Sequence, residues 1–186
     1  TTLAYLRWFK DSPEYNQVVR EREFLEKYRK QQSAYPYPII FVTADAVVMQ
    51  AGHVLMVQRG ADPGNGLWAL PGGFVDAVGD RTMEDAALRE LREETGISED
   101  AVQVLPGFQF EHRYMVNQKR YGGKGLIEKR LLIFLGLLLK PVDIVVTEHD
   151  DYRWFDWSPP HRIQEWTIDP LLSAVHRHLQ TTGSIG

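Results

Sequence analysis

Residues 82–95 restrict the fold more than any other part of the sequence, because their composition is that of a helix. Alanine, leucine, arginine and glutamate recur throughout this segment, and Gly96 is a typical helix stop. At 3.6 residues per turn, Glu90, Glu93 and Glu94 lie within an arc of about 100°. We call these three carboxylates the acidic face. Like charges at this spacing repel one another, so the acidic face costs stability unless a cation neutralises it.

The acidic face has the chemistry of a divalent metal site. Mg²⁺ binds carboxylate oxygens together with waters and a substrate phosphate, and it would relieve the repulsion. Ala86 and Ala87, one turn earlier, are predicted to leave room for a ligand, and Arg89 is placed to hold Glu93 in a fixed rotamer. Glutamates on an exposed helix face are commonly just solvated, so the helix alone leaves both interpretations open.

A proline and two glycines at positions 71–73 precede the acidic helix and predict a tight turn. Glycine allows backbone amides and carbonyls to approach a phosphate or a metal ion closely. We therefore predict that Gly72 and Gly73 bind substrate and that Gly72 also contributes to the metal site. An ordinary turn without a ligand is the alternative.

Two side chains near this turn are candidate substrate contacts. Arg59 ends a predicted strand that points at the glycine-rich loop 60–66, where its guanidinium could hold a phosphate through two hydrogen bonds. It could equally be a surface arginine. Trp68 could stack on an adenine ring or simply pack against the core.

The rest of the sequence mixes strand and helix patterns without a regular βαβ alternation, which predicts an α+β fold. Residues 1–38 are predicted to form an N-terminal helical segment, with its helix at 13–31, that could link to an upstream domain. Residues 39–186 are predicted to form one domain, whose last helix runs from about 169 to 179. Strands are predicted at 39–49, 53–59, 68–70, 102–110, 127–139 and 152–157, the first two as an antiparallel pair.

Composition and charge exclude several classes of protein. The chain has no cysteine, which excludes a disulfide scaffold and cysteine chemistry and favours a cytoplasmic location. Its net charge of −4 argues against broad electrostatic binding to nucleic acid. The longest strongly apolar stretch, 131–139, is too short for a membrane-spanning helix, so we expect no membrane partner.

Gly73 and the run RELREETGI at positions 89–97 resemble the signature of the Nudix hydrolases. That signature is a glycine, five residues, a glutamate, seven residues, and then Arg-Glu, an aliphatic residue, any residue, Glu-Glu, any residue, Gly and an aliphatic residue. Its second half is matched at every fixed position. The first half has two extra residues here and lacks the glutamate, for which Asp80 or Asp76 could substitute.

This resemblance implies an α/β/α sandwich with a mixed sheet, and hydrolysis of a nucleoside diphosphate that is linked to another group. It implies a site for Mg²⁺, or Mn²⁺ in its place, formed by Glu90, Glu93, Glu94 and Gly72. It also implies catalytic roles for Glu90, Glu93, Arg89 and Glu148. Glu148 lies in an acidic loop from which some family members draw a general base. A small-molecule nucleotide is expected as substrate, and the oligomeric state stays open, a homodimer included.

A narrower resemblance covers residues 35–38, 41–48, 51–59 and 67–74. These segments are similar to the Nudix half of the bifunctional nicotinamide mononucleotide adenylyltransferase/ADP-ribose pyrophosphatases, which implies hydrolysis of ADP-ribose to AMP and ribose 5-phosphate. Residues 124–130 and 148–154 instead resemble diadenosine tetraphosphate and RNA 5′-end hydrolases. A third alternative is a module that binds ADP-ribose only as a sensor, and the intact acidic face argues against it.

Overall fold

The computed structural model describes residues 40–61, 64–121 and 123–183. The described residues divide into two compact units, the larger with residues 41–61, 64–113 and 129–183 and the smaller with residues 40, 114–121 and 123–128. The predicted N-terminal segment 1–38, with its helix, lies outside the described residues.

The described residues form seven strands and two α-helices. The strands are β1 (Phe41–Gln50), β2 (His53–Arg59), β3 (Trp68–Ala69), β4 (Gly72–Phe74), β5 (Val102–Asn117), β6 (Leu126–Leu138) and β7 (His149–Asp156). The helices are α1 (Met83–Thr95) and α2 (Ile168–Thr182).

The strands of the described chain belong to one mixed sheet in which β1 is central. β1 runs parallel to β6 and antiparallel to β4 and to the start of β2. The predicted antiparallel pairing of β1 and β2 is confirmed at Met49 with Val54 and at Gln50 with His53. β2 also pairs with β3 at Val57 and Gln58, and with β7 along its whole length from His53 to Arg59.

Alternate residues of β1 face opposite sides of the sheet, and a helix covers each side. Val47 belongs to one hydrophobic core together with Leu172 of α2. Its neighbour Val48 belongs to a second core together with Leu91 of α1. This period of two follows from the pleat of a strand. The result is the predicted α+β architecture, an α/β/α sandwich with a mixed sheet.

Helix α1 begins and ends where its sequence predicts. The Thr82 hydroxyl caps the first turn by accepting the Asp85 N–H at 3.0 Å. At the other end, Gly96 has a left-handed φ of 73° and donates its N–H to the Arg92 carbonyl at 2.9 Å. Glycine adopts this conformation at little cost, so the helix stops there.

Several strands differ from the prediction because they are defined by their partners. The predicted turn at 71–73 contains the start of strand β4, in which Gly73 pairs with Ala44 of β1. β7 begins at His149 rather than at 152, because β2 offers a partner as far as Arg59. β5 extends to Asn117, well past its predicted end at 110. The strand propensity of a single segment does not show which other strand it pairs with or where that pairing ends.

The described part of the smaller unit consists of the far ends of β5 and β6 and a 3₁₀ turn between them, Gln118–Tyr121. The Gln118 N–H donates to the Gly125 carbonyl at 2.9 Å and so closes this loop. In the described ranges, no helix combines the length and the apolar character needed to cross a bilayer.

Candidate active site

The acidic face lies on α1 next to Leu91, which packs into the core between the helix and the sheet. Leu91 is fully buried, Glu94 is 5% exposed, and the side chains of Glu90 and Glu93 are 15% and 52% exposed. The acidic face is therefore not a simple solvated surface, because one carboxylate is buried and another is mostly so.

The prediction that Ala86 and Ala87 leave room for a ligand is wrong. Both residues are buried and pack with Ala44 and Phe134 of the sheet. Their small side chains let α1 approach the sheet closely, so the two alanines line the core and leave no open space of their own.

Arg89 uses all five of its N–H groups. Nε and Nη2 bind the Asp80 carboxylate at 2.9 and 3.0 Å, and Nη2 also binds the Phe74 carbonyl at 2.9 Å. Nη1 binds Glu90 at 2.7 Å and Glu93 at 3.0 Å. The predicted contact between Arg89 and Glu93 is confirmed. Because a guanidinium presents its donors in a rigid fork, Arg89 orients two carboxylates of the acidic face together.

Asp80, rather than Asp76, is the aspartate that contacts α1. The Asp80 side chain is 3% exposed and accepts the Asp76 N–H at 2.7 Å in addition to its bonds from Arg89. The Asp80 N–H returns to the Asp76 carbonyl at 2.9 Å. Asp76 itself accepts the Val78 N–H at 2.9 Å and stabilises the loop from within. The loop with two extra residues thus closes on itself and delivers one carboxylate to Arg89.

The charges in this group change the acidity of its members. The hydrogen bonds from Arg89 hold the pKa of Asp80 below its usual value. Burial raises the pKa of Glu90, and the bond from Arg89 opposes that shift. The same contacts, led by the bond to Asp80, raise the pKa of Arg89, so its guanidinium stays charged.

Glu94 is held from two directions. Its Oε2 accepts the Gly72 N–H at 2.9 Å and lies 3.1 Å from Nε2 of His149. The histidine nitrogen is within reach of the carboxylate but is not aligned as a hydrogen bond. The side chains of Glu94 and His149 are 7% and 10% exposed, so this contact is shielded from water.

Gly72 and Gly73 allow β4 to lie directly against its neighbours. A Cβ added at Gly72 would overlap Asp45 of β1, and a Cβ at Gly73 would overlap the Glu90 carboxylate. Any larger residue would separate β4 from β1 and α1. The structure places both glycines beside the acidic face, and their binding of substrate or metal stays a prediction.

Asp45 lies beside the acidic face and is not predicted by any of the sequence motifs. Burial and the nearby carboxylates of Glu94 and Glu90 raise the pKa of Asp45 to about 8, although Lys129 and Arg59 oppose this shift. A single charged residue within the otherwise uncharged strand β1 was the available signal.

The loop before β7 is fastened to the last turn of α1. The Thr147 hydroxyl donates to the Glu93 carbonyl at 2.7 Å, and the Thr147 N–H donates to the Glu94 carbonyl at 3.3 Å. The Val145 N–H donates to the Thr95 carbonyl at 2.9 Å. These bonds satisfy carbonyls that a helix end otherwise leaves free. They also fix the loop beside the acidic face.

Glu148 and His149 directly follow Thr147 in the chain. Glu148 is exposed, and its predicted role as a general base stays a prediction. His149 is the first residue of β7 and contacts Glu94. His149 is not predicted from the sequence, because no metal-ligand spacing among the six histidines points to it.

Arg59 is brought to this site by its strand partners. It lies opposite His149 in the β2–β7 ladder, and its charge reaches Asp45. On its other side, the Arg59 N–H donates to the Leu67 carbonyl at 3.0 Å and the Arg59 carbonyl accepts the Gly66 N–H at 2.7 Å. Arg59 is therefore held at the end of β2, and its predicted role in binding a phosphate stays a prediction.

Trp68 is not brought to the acidic face. Its ring packs edge-on against Phe155 with centroids 5.2 Å apart, and the Arg153 guanidinium lies 6.0 Å from its centroid. Trp68 also packs against the core on the α2 side of the sheet. The structure thus gives Trp68 the packing alternative, and stacking on adenine stays a prediction.

The donors at this site fit a hard divalent cation in their chemistry. The acidic face and Asp45 concentrate carboxylate oxygens, and their mutual repulsion contributes to the raised pKa of Asp45. In this structure Glu90 and Glu93 bind Arg89, and Glu94 accepts the Gly72 N–H. Within the described ranges, no group of three or more His, Asp or Glu side chains is already arranged to hold a metal ion.

The relatives of the chain in sequence include the following three proteins. It is 40% identical over 79 residues to an ADPR responsive transcriptional repressor of Acinetobacter baylyi, a match that covers 41% of this chain and 31% of the repressor. It is 35% identical over 83 residues to an ADP-ribose pyrophosphatase of Methanocaldococcus jannaschii, covering 45% and 44%. It is 28% identical over 139 residues to an RNA pyrophosphohydrolase of Novosphingobium aromaticivorans, covering 72% and 84%. The chain spans less than half the length of the first two relatives.

Solved structures that share the fold include the following two. The Ap4A hydrolase of C. elegans superposes with a TM-score of 0.62 at 23% identity, covering 76% of this chain and 98% of that chain. A bifunctional NMN adenylyltransferase/ADP ribose pyrophosphatase from Francisella tularensis, complexed with AMP and a Mn ion, superposes with a TM-score of 0.52 at 26% identity. That match covers 97% of this chain and 53% of the bifunctional protein.

The family model of the NUDIX domain matches residues 40–175. This range contains the acidic face, the glycine pair of β4 and the ion pair between Arg89 and Asp80. The α/β/α sandwich and the signature at 89–97 agree with the match, and the chain belongs to the NUDIX domain family.

Proposed function

We propose that this chain is a NUDIX pyrophosphohydrolase that hydrolyses ADP-ribose to AMP and ribose 5-phosphate with the help of Mg²⁺. Water adds to one phosphorus of the pyrophosphate, the P–O bond to the bridging oxygen breaks, and each product keeps one phosphate. The similarity to an ADP-ribose pyrophosphatase and to the bifunctional protein supports this choice of substrate.

The observation that carries the proposal is the contact between Gly72 and Glu94. The N–H of Gly72 reaches a nearly buried carboxylate of the acidic face at 2.9 Å, so the backbone of β4 and the carboxylates of α1 converge at one place. A pyrophosphate site needs both kinds of group close together, because a glycine backbone lets the substrate and the metal approach closely and carboxylates recruit the neutralising cation.

Glu90, Glu93 and Glu94, with the Gly72 carbonyl, would hold the Mg²⁺, and Mn²⁺ could take its place. When bound, the ion would neutralise charge on the phosphates and lower the pKa of the attacking water. Arg89 keeps two of these carboxylates oriented through its bonds to Glu90 and Glu93.

Arg59 is proposed to bind a phosphate of the substrate. It is half-buried at the end of β2, opposite His149, and its positive charge reaches the half-buried Asp45. A guanidinium in this place can bind two phosphate oxygens at once and hold the pyrophosphate against the acidic face.

Glu148 is proposed to accept the proton of the attacking water. It is exposed, it follows Thr147, whose hydroxyl bonds to α1, and it precedes His149, which contacts Glu94. A carboxylate at this position can pass the proton on to bulk water.

A second candidate function is hydrolysis of RNA 5′ ends or dinucleoside polyphosphates. The observation that favours it is the RNA pyrophosphohydrolase match, which covers 84% of that relative. Substrates of this kind carry more negative charge, and the basic side chains of the loop 117–125 would then contribute electrostatic attraction.

A substrate panel tests the proposal. The purified chain is incubated with Mg²⁺ and ADP-ribose, NADH, diadenosine tetraphosphate or 5′-triphosphate RNA, and the phosphate-containing products are separated by chromatography. We expect the highest kcat/KM for ADP-ribose, with AMP and ribose 5-phosphate as products. A higher value for the tetraphosphate or the RNA would favour the second candidate. Binding of ADP-ribose without turnover would indicate a sensor.

A further inference from the structure

We propose that His149 is a positioning residue that holds Glu94 in the orientation in which it binds the divalent cation. The inference rests on the proposed function, because it assigns a role to a residue next to the proposed metal site. His149 belongs neither to the signature nor to the set of residues predicted from the sequence.

The contact itself is short and shielded. Nε2 of His149 lies 3.1 Å from Oε2 of Glu94, and the two side chains are 10% and 7% exposed. The Gly72 N–H reaches the same oxygen at 2.9 Å. The hydrogen bond from Gly72 and the close contact of His149 act on the same oxygen and restrict the rotation of the carboxylate, so removing either of them would let it turn.

The position of His149 is fixed by elements on both sides of it. Its backbone pairs with Arg59 at the end of β2. Two residues earlier, Thr147 bonds to the carbonyls of Glu93 and Glu94 through its hydroxyl and its N–H. The paired strand β7 and the anchored loop before it therefore hold the imidazole against α1. The imidazole links β2, which carries Arg59, to α1, which carries Glu94.

A side chain that contacts a metal-binding residue without touching the metal commonly affects the affinity of the site for that metal. Its loss typically weakens binding by about 10- to 100-fold. We therefore expect that losing His149 mainly lowers the affinity for the cation. The effect on kcat should be smaller once the cation is saturating.

Two variants of similar polarity separate positioning from packing. In His149→Gln the amide nitrogen can occupy the place of Nε2, whereas in His149→Asn the side chain is too short to reach Glu94. A matched control is His53→Asn at the other end of the same strand pair, where His53 Nε2 lies 3.0 Å from Asp156 in an exposed contact.

Binding of Mn²⁺ is measured from the electron paramagnetic resonance signal of the free ion, without substrate, and kcat and KM for ADP-ribose are measured across a Mn²⁺ titration. We expect His149→Asn to weaken Mn²⁺ binding by about tenfold or more, and His149→Gln to recover most of the affinity. The control should bind as the wild type does. If His149→Asn does not fold, the comparison of His149→Gln with His149→Leu replaces it.

The outcomes separate this inference from the proposed function. Normal Mn²⁺ affinity in both His149→Asn and His149→Leu, or no Mn²⁺ binding by the wild type, overturns the role of His149. If the wild type binds Mn²⁺ and loses it in His149→Asn but does not hydrolyse ADP-ribose, the inference stands and the choice of substrate is wrong.

Discussion

The guanidinium of Arg89 binds the carboxylate of Asp80 at two points, with Nε–Oδ1 at 2.9 Å and Nη2–Oδ2 at 3.0 Å. The same guanidinium binds Glu90 and Glu93, so the loop 76–80 and two carboxylates of the acidic face form one hydrogen-bonded unit. The sequence lacks the signature glutamate, and a loop with two extra residues brings the shorter carboxylate of Asp80 to Arg89. We interpret the longer loop as compensation for the shorter side chain.

Asp80→Asn should lower both stability and activity. The variant keeps the shape but removes the charge that Arg89 faces, which we expect to cost about 1–3 kcal/mol in the free energy of unfolding. Glu90 and Glu93 would also lose their fixed partner, so kcat should fall. Urea denaturation and steady-state kinetics measure both effects. The control is Asp85→Asn, which breaks the exposed pair with Arg81 and should cost under about 1 kcal/mol. Equal effects of the two variants would contradict a special role of Asp80.

Glu90→Gln and Glu94→Gln should each lower kcat by at least about 10²-fold while leaving the fold intact, because each removes a proposed metal ligand. Circular dichroism should show unchanged helix content. Glu84→Gln, in the exposed first turn of the same helix, is the control and should keep near-normal turnover. Near-normal turnover of either test variant at saturating Mg²⁺ would refute the assignment.

Mg²⁺ or Mn²⁺ should raise the melting temperature of the wild type, since a cation that binds only the folded acidic face stabilises it by linkage. Glu93→Gln and Glu94→Gln should reduce this shift. Differential scanning calorimetry with increasing metal measures it, and a chelator should reverse it. The same metal-induced shift in the wild type and both variants would place the cation elsewhere.

Asp45→Asn should remove a pH dependence of stability in the metal-free protein. Burial raises the pKa of Asp45 from 3.8 to about 8, so the folded state keeps a proton that the unfolded chain has lost. The stability contributed by the protonated group is fully present below pH 3.8 and is lost as the pH rises through 8. Denaturation in EDTA should therefore show the wild type losing stability relative to Asp45→Asn across this range. Parallel curves would exclude a raised pKa.

Neutralising Lys119, Arg120 and Lys124 to glutamine should separate the two candidate substrate classes. For ADP-ribose, with a single pyrophosphate, we expect less than about tenfold loss in kcat/KM, which is about 1.4 kcal/mol. A tetraphosphate substrate should lose more and respond more steeply to salt, because it carries more charge to attract. Measurements at two ionic strengths distinguish the cases. A large loss with ADP-ribose would show that the loop contributes to binding this substrate.

The sequence by itself determined the parts of this protein that depend on short-range spacing. The helix between Thr82 and Gly96 follows from composition and its glycine stop, and the acidic face follows from 3.6 residues per turn. The contact between Arg89 and Glu93 follows from the same spacing, since residues four apart meet on a helix surface. These features need no knowledge of the rest of the chain.

Only the tertiary structure decided which distant residues complete the site. Asp45 and His149 join the acidic face because β1, β4 and β7 converge on α1, and the bond from Thr147 to Glu93 spans 54 positions in the sequence. Trp68 packs toward α2 for a related reason, since strand pairing decides which face of the sheet a side chain occupies. The periodicity of one segment indicates which of its sides is buried. It does not indicate which other strand or helix packs against that side.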